Sequence, residues 1–334
     1  MSYIEKRKVL VDTDVGLDDV HALIYLSSRS DIELLAVTLV PGVAGMDVIT
    51  DNIQRVLRFL RNKTLPVFKA GEHNLFCEII ESDGHYGKNG LGDIELPKKK
   101  MNIRNDMMSS TAMIHYARMY PQQVHILCLG PLTNLALAFL IDNEFPKFVG
   151  SITIMGSDRA ETSVLGVTYF AEFNTWCDPV AYQVVMNCFT KIRQPIRVVD
   201  WSFCIKNLFP LSLFDRIREA AGKIGCENVK TQLFHMLTDS TNAIIQKSYL
   251  IGGFLSPDLL AALALCNPEL FNIERMKLHH VEPSGTKVGH TIYQPVRHCF
   301  VDLVKHTNID ALVDLLVKTI PYSTDPPKKF RKVD

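Results

Sequence analysis

The chain has 334 residues, of which 47% are hydrophobic and 22% are charged, so it is long enough to bury a substantial core. Its 36 basic and 36 acidic residues balance, which argues against a general binder of nucleic acid or anionic membranes. No apolar run reaches the roughly 18 residues of a membrane span, and the polar start predicts no signal peptide. We therefore expect a cytoplasmic protein whose eight scattered cysteines are free thiols.

The first half of the chain alternates short β-rich segments with longer helical ones. In chain order, the hydrophobic pattern predicts strands near 8–11, 32–40, 66–70, 124–129, 151–155 and 195–200. It predicts helices near 18–28, 47–60, 107–119, 132–141 and 179–189. A glycine-rich polar loop at 71–101 is long for a compact domain and is typical of a functional lid.

From about residue 207 the pattern becomes mainly helical. It predicts helices near 211–222, 229–247, 257–266 and 308–319, a strand near 276–282 and a return strand near 291–304. Alternating β and α units indicate an open, mainly parallel α/β sheet flanked by helices. We expect one domain over residues 1–334, with a core at 7–320, a basic tail at 321–334 and a helical C-terminal portion packed over one end of the sheet.

Four aspartates follow the first predicted strand within eight residues: Asp12, Asp14, Asp18 and Asp19. Ligands bind open α/β sheets at the carboxyl ends of the strands. Caps and turns would account for one or two of these carboxylates, but not for four. Like charges this close raise each other's pKa unless a cation or strong donors compensate, and all-oxygen ligands favour Ca²⁺ or Mg²⁺ over zinc. The cluster therefore indicates a metal or proton-transfer site.

The segment VLVDTDVGLDDVHAL at 9–23 resembles the N-terminal signature of the nucleoside hydrolases, the inosine-uridine-preferring family, usually close to DTDPGxDDxxAL. Further motifs follow in the family's order. GKNGLGD at 87–93 resembles its HGxxGLGD loop, and GPLTNLA at 130–136 resembles its turn of the same sequence. MG at 155–156, AEFN at 171–174 and DP at 178–179 match later elements, and SPD at 256–258 lies where the family has a late His-Asp pair. The likeness spans residues 7 to about 300.

This resemblance implies a Rossmann-like fold, one calcium ion and hydrolysis of the N-glycosidic bond of ribonucleosides to free base and ribose. Carried over residue by residue, the calcium ligands would be Asp14, Asp19, Asp258 and the backbone carbonyl of Leu129. Asp14 would also act as the base that activates a water oriented by the ion. Asp12 would support these ligands by hydrogen bonding. The family's members are often homo-oligomers, so the resemblance also implies a dimer or tetramer.

The resemblance assigns a second group of residues to the nucleoside. Asp18 would hold the ribose 2′- and 3′-hydroxyls, Glu172 and Asn174 would bind sugar hydroxyls, and Phe173 would line the pocket. His85 and Tyr86, in the glycine-rich loop, are candidates near the leaving base. Some relatives activate the base by aromatic stacking, for which the candidates are Trp176, Tyr169, Trp201 and Tyr249.

Three positions depart from the family pattern. Val43 and Gly166 stand where the family has Asn, and Pro257 stands where part of the family has a His that protonates the leaving group. By this pattern the calcium ligands are complete, whereas recognition of the sugar and the base is altered. Losing one transition-state donor typically costs on the order of 2.7–4 kcal/mol. Weak activity, a changed substrate and no activity all remain open.

Two alternatives to an active nucleoside hydrolase follow from the same residues. A relative that keeps the metal and the fold could bind a nucleoside without cleaving it. A haloacid-dehalogenase-type phosphatase would also show an apolar strand followed by DxDxV, with Asp12 as the nucleophile and Asp14 as the acid. The phosphatase hypothesis leaves Asp18, Asp19 and the AEFN segment without a role.

Overall fold

The structure is a computed structural model, and it describes residues 5–60, 62, 64–80, 84, 86–97, 103–191, 195–223, 230–237, 252–296 and 300–321. His85, Tyr249 and the predicted basic tail beyond residue 321 lie outside these ranges, as does most of the helix predicted near 229–247. Within them, no helix is both long and apolar enough to cross a membrane.

Nine strands form one open sheet in the order β3-β2-β1-β4-β5-β6-β9-β7-β8. Strands β1 to β6 and β9 pair in parallel, and β7 pairs antiparallel with both β9 and β8. The bounds are β1 Arg7–Thr13, β2 Ile32–Leu39, β3 Val67–Phe68, β4 Val124–Cys128, β5 Val149–Met155, β6 Ile196–Val199, β7 Phe271–Val281, β8 Thr291–Pro295 and β9 Val301–Thr307. The expected open, mainly parallel α/β fold is confirmed.

Helices cover both faces of this sheet. Their bounds are α1 Leu17–Ser28, α2 Met46–Phe59, α3 Ser109–Met119, α4 Thr133–Ile141, α5 Phe173–Cys177, α6 Pro179–Lys191, α7 Trp201–Cys204, α8 Ser212–Lys223, α9 Pro257–Cys266 and α10 Ile309–Thr319. The central strands are apolar along their length because both of their faces are covered, and Val9, Leu10 and Val11 of β1 are fully buried.

The C-terminal strands differ most from the predicted pattern. The single return strand predicted at 291–304 is two strands, β8 and β9, which pair with opposite edges of β7. The chain therefore leaves one edge of β7 and crosses to the other. Strand β7 begins at Phe271, whereas the sequence predicts a start near 276. The prediction misses the first residues because charged side chains such as Glu274 and Arg275 hide the alternation of the strand. These strands extend the sheet, and the helices predicted near 211–222, 257–266 and 308–319 are present beside them.

Helix α9 packs against elements that lie far away in the sequence. All ten of its residues are buried, as expected of a helix that is apolar on every side, and it packs against α1. Arg7 Nη1 donates to the carbonyl of Leu265 at 2.6 Å, and Arg197 Nη1 donates to that of Ala264 at 2.8 Å. Cations at these last carbonyls also interact favourably with the helix dipole. Both arginines therefore fix the carboxyl end of α9 to the sheet.

Candidate active site

Four buried carboxylates meet at the carboxyl ends of β1 and β2. Asp18 and Asp19 lie in the first turn of α1, and Asp258 lies in the first turn of α9. One oxygen from each of these three groups lies within 4.8 Å of the other two. The carboxyls of Asp14 and Asp258 are both within hydrogen-bond reach of Asp19. The N-termini of two helices that lie far apart in the sequence, α1 and α9, thus meet at one cluster of carboxylates.

The environment of this cluster strongly disfavours its charge. Burial, followed by repulsion from Asp19, raises the pKa of Asp14 well above its usual range. Burial and the charge of Asp18 do the same to the pKa of Asp258, and burial raises the pKa of Asp18 to about 7. Asp258 Oδ1 is a buried atom that has no hydrogen-bond partner among the described residues. A set of converging carboxylate oxygens with one oxygen unpartnered fits a hard divalent cation.

Short-range hydrogen bonds fix the two aspartates at the centre of the cluster. The Thr13 hydroxyl donates to Asp19 Oδ1, and the Gly16 amide donates to Asp19 Oδ2 at 2.9 Å. The Val43 amide donates to Asp14 Oδ2 at 2.9 Å. Sequence reasoning did not identify these donors. Two of them are backbone groups, whose positions depend on the path of the chain and not on residue type.

Gly42 allows the backbone to approach Asp14. A Cβ built on Gly42 would lie 2.8 Å from Asp14 Cγ, which is closer than non-bonded carbon atoms can come. The glycine is therefore required by the aspartate side chain beside it, and not by its own backbone conformation. It is a further residue of the site that the sequence motifs did not single out.

Asp12 lies beneath the cluster and does not line the cavity. Its Oδ1 accepts hydrogen bonds from Thr38 Oγ1 at 2.7 Å and from Asn134 Nδ2 at 2.8 Å. Burial raises the pKa of Asp12 to about 7. The same Asn134 amide donates to the carbonyl of Leu39 at 2.9 Å, so this network connects the ends of β1 and β2.

The AEFN segment forms the opposite wall of the cavity. Glu172 is the N-cap of α5, and its carboxylate accepts hydrogen bonds from the amides of Asn174 at 2.6 Å, Thr175 at 3.0 Å and Ser157 at 2.8 Å. Burial raises the pKa of Glu172 to about 7. Asn174 Nδ2 donates to the carbonyl of Leu129 at 2.8 Å. Because a carbonyl oxygen has two lone pairs, that of Leu129 can accept one more partner.

These groups line one cavity of about 60 Å³, which we call the acidic cavity. Among the residues proposed from the sequence, it brings together Asp14, Asp18, Asp19, Tyr86, Leu129, Glu172, Phe173, Asn174 and Asp258. Trp201, one of the aromatic candidates, also lines it, and Val43, Met155 and Pro257 complete the lining. The Tyr86 hydroxyl hydrogen-bonds the Asp18 carboxylate.

The structure places only some of the described aromatic candidates at the acidic cavity. Trp201, the first residue of α7, lines the acidic cavity. The ring of Trp176 stacks on that of Phe173, with centroids 6.3 Å apart, but Trp176 is not part of the lining. Tyr169 is 68% exposed and also lies outside it. Of these three, only Trp201 is therefore placed to contact a bound molecule directly.

Comparison with known proteins gives consistent results over most of the chain. The family model described as inosine-uridine preferring nucleoside hydrolase matches residues 9–319. Uridine nucleosidase 1 of Arabidopsis thaliana is 30% identical over 287 residues, covering 86% of this chain and 81% of that protein. The inosine-uridine preferring nucleoside hydrolase of Crithidia fasciculata is 28% identical over 182 residues, covering 54% of this chain and 57% of that protein.

Solved structures show the same fold. A plant nucleoside hydrolase superposes with a TM-score of 0.82 at 23% identity, covering 95% of this chain and 99% of that one. A purine-preferring ribonucleoside hydrolase from Gardnerella vaginalis gives 0.81 at 22% identity, covering 94% of this chain and 98% of that one. The open sheet and its helices are therefore shared with these proteins.

Proposed function

Because the chain belongs to the inosine-uridine preferring nucleoside hydrolase family, we propose that it hydrolyses the N-glycosidic bond of ribonucleosides and releases free base and ribose. One observation carries this proposal. Buried carboxylates from α1 and α9 meet in a cavity that is closed on its other side by Glu172 and Asn174. Cleavage of the C1′–N bond builds positive charge on the ribose, and a cavity lined by carboxylates favours that charge.

The same proposal includes one calcium ion, for which the donor set described above is suitable. Asp14, Asp19, Asp258 and the carbonyl oxygen of Leu129 would hold it, and Asp18 shares their cluster. When bound, the ion would neutralise the converging carboxylates and act as a Lewis acid toward oxygen atoms of the substrate and water. Calcium acidifies water less than zinc does, so the reaction still needs a base from the protein.

We assign that base to Asp14, which accepts the proton of the attacking water. Its carboxylate is fixed by the Val43 amide, and such positioning makes proton transfer efficient. Asp18, hydrogen-bonded by Tyr86, would bind the 2′- and 3′-hydroxyls. This arrangement favours ribose over 2′-deoxyribose, because a missing hydroxyl would leave a buried carboxylate without a donor. Glu172 and Asn174 would bind the remaining sugar hydroxyl, the one at C5′.

The phosphatase alternative is disfavoured by the position of Asp12. Its carboxylate would have to be the nucleophile, but it is fully buried, bonded to Thr38 and Asn134, and absent from the cavity lining. An assay for release of the base distinguishes an active hydrolase from a relative that binds nucleosides without cleaving them. Pro257 lines the cavity where part of the family has a leaving-group acid, and Val43 lines it where the family has Asn, so neither supplies the expected polar side chain.

The direct test is a panel of ribonucleosides incubated with the purified chain in calcium, followed by measurement of free base and reducing sugar. We expect at least one ribonucleoside to be cleaved and its 2′-deoxy analogue to be cleaved at least tenfold more slowly, because the analogue leaves a buried carboxylate without its hydrogen bond. Binding of every nucleoside without release of base would identify a non-catalytic relative. Release of phosphate from phosphorylated substrates would contradict the assignment.

Calcium should raise the stability of the folded chain, and Asp258→Asn should remove that effect. A ligand at 100 times its Kd stabilises the native state by about 2.7 kcal/mol. The substitution removes one ligand and one of the repelling charges, so the calcium-free variant should melt at or above the wild-type temperature. Calorimetry with and without chelator measures both effects, with Asp106→Asn, at an exposed aspartate paired with Arg104, as the matched control. An unchanged calcium shift in Asp258→Asn would contradict the ligand assignment.

A further inference from the structure

Ser157 lies just beyond the end of β5, and each of its three polar groups bonds a different part of the structure. Its amide donates to Glu172 Oε2 at 2.8 Å. Its carbonyl accepts a hydrogen bond from the amide of Trp201 at 2.9 Å. Its hydroxyl lies 3.0 Å from the hydroxyl of Tyr293 in β8. Two residues that line the acidic cavity, Glu172 and Trp201, are thus held by one residue that does not line it.

The backbone of Ser157 adopts an unfavourable conformation. Its φ is +67°, in the left-handed region that glycine enters freely and other residues rarely adopt. A residue with a Cβ keeps such a conformation only when its surroundings fix it. A glycine could make the same amide and carbonyl bonds, but it could not bond Tyr293. The hydroxyl is therefore the contact that the strained residue gains over an unstrained glycine.

Other contacts join the same edge of the sheet to the wall of the cavity. The Thr291 hydroxyl in β8 donates to the carbonyl of Asp158, the residue after Ser157, at 2.5 Å. Gly289, which precedes β8, lies against helix α5, and a Cβ on it would lie 2.7 Å from Trp176 Cα. Strand β8 therefore supports both the turn at Ser157 and the helix that Glu172 caps.

The carboxylate of Glu172 is the group on which this support acts. Its Oε2 accepts hydrogen bonds from the Ser157 amide, the Thr175 amide at 3.0 Å and the Thr175 hydroxyl at 3.0 Å. Its Oε1 has one donor among the described residues, the Asn174 amide. Oε1 therefore keeps a lone pair for a hydroxyl of the substrate. Because the donors on Oε2 set the orientation of the carboxylate, a shift of the Ser157 amide would turn Oε1 away from that hydroxyl.

We propose that Ser157 is a positioning residue. Its left-handed backbone, held by the hydroxyl bond to Tyr293, directs its amide at Glu172 and so orients that carboxylate toward the C5′ hydroxyl of the nucleoside. This inference rests on the proposed hydrolase function, which assigns the C5′ hydroxyl to Glu172 and Asn174. Ser157 touches no substrate and acts through Glu172.

The experiment measures kcat/KM, with calcium present, for uridine and inosine, each beside its 5′-deoxy analogue. The wild-type chain should prefer the ribonucleoside by about tenfold or more, because the analogue leaves a buried carboxylate without its hydrogen bond. Ser157→Ala deletes the hydroxyl but keeps the Cβ, so the backbone should relax out of the left-handed region. The preference should then fall to about twofold, by slower cleavage of the ribonucleoside and not of the analogue.

Ser157→Gly is the matched variant, because it removes the strain together with the hydroxyl. Its preference should stay within about twofold of the wild-type value. Gln122→Ala is the control, since Gln122 has a φ of +60° on an exposed turn before β4; it should change neither rate. A general structural defect would slow both substrates equally. Equal slowing in Ser157→Ala, an unchanged preference, or an equal loss in Ser157→Gly would each overturn the proposal.

Tyr293→Phe tests the other end of the link. In the wild-type background it should lower the preference by about twofold or more, whereas in Ser157→Gly it should add nothing, because the hydroxyl that Tyr293 contacts is already absent. A further fall in that background would contradict the link.

Titration calorimetry with the same nucleosides separates this proposal from the hydrolase function. Binding without release of base would refute hydrolysis, and the same comparison of variants, made on Kd, would then decide the role of Ser157. Binding of neither the ribonucleosides nor their 5′-deoxy analogues would overturn both proposals.

Discussion

Replacing Asp14 with Asn is expected to lower kcat by about 10²–10⁴-fold, the range typical of a positioned general base. The amide keeps the shape of the side chain and can still accept the Val43 amide proton through its oxygen, so the fold should be retained. It cannot accept the proton of the attacking water at neutral pH. Removing one of several buried like charges should also stabilise the calcium-free chain.

The measurement is a steady-state assay on the best ribonucleoside of the panel, with melting curves recorded in parallel. Asp106→Asn serves as the control, since Asp106 is exposed and pairs with Arg104 at the surface. An Asp14→Asn variant that is folded, loaded with calcium and still within tenfold of the wild-type kcat would show that another group takes the proton.

Gly42→Ala should lower kcat by about 10²-fold, although the substituted residue itself touches no substrate. The added methyl would collide with the Asp14 side chain and push it out of position, and a displacement of about 1 Å is enough for a loss of this size. The overpacking should cost about 1–3 kcal/mol of folding stability. Because the effect is one of position, the pH dependence of the remaining activity should keep its wild-type shape.

Gly45→Ala is the matched control for this substitution. Gly45 lies three residues further along the same loop, and a Cβ there would meet no atom within 4 Å. Its kcat should stay within about twofold of the wild type, with at most a small cost at the start of α2, where glycine is the better N-cap. Equal loss of activity in both variants would mean that the loop, and not Asp14, is the sensitive element.

The sequence predicts the central strands well because their burial is visible in the residue types of each strand itself. Strands β1, β2 and β4 are buried on both faces, so they appear as continuous apolar runs and their positions follow directly. The β7 strand has charged residues at Glu274, Arg275 and Lys277, and its length follows from pairing with two neighbours that lie far away in the sequence. Such pairing is not visible in a short window of residues.

The residues of the candidate site differ in how far the sequence alone predicts their role. Four nearby aspartates indicate a charged site by themselves, but the proximity of Asp258 to Asp19 depends on how α9 packs against α1. Family resemblance supplied that assignment, whereas periodicity could not. Val43 is instructive, because its apolar side chain indicates a lost donor while its backbone amide is the donor that holds Asp14. The expected homo-oligomer stays a prediction.

The position of α9 has a consequence for biosynthesis. Its first turn contributes Asp258 and its last carbonyls bind Arg7, near the beginning of the chain. A nascent polypeptide still held on the ribosome before residue 266 has emerged lacks both contacts. Its early aspartates would therefore lack Asp258, residue 258 of 334, and the proposed metal site could be completed only after that residue has left the ribosome.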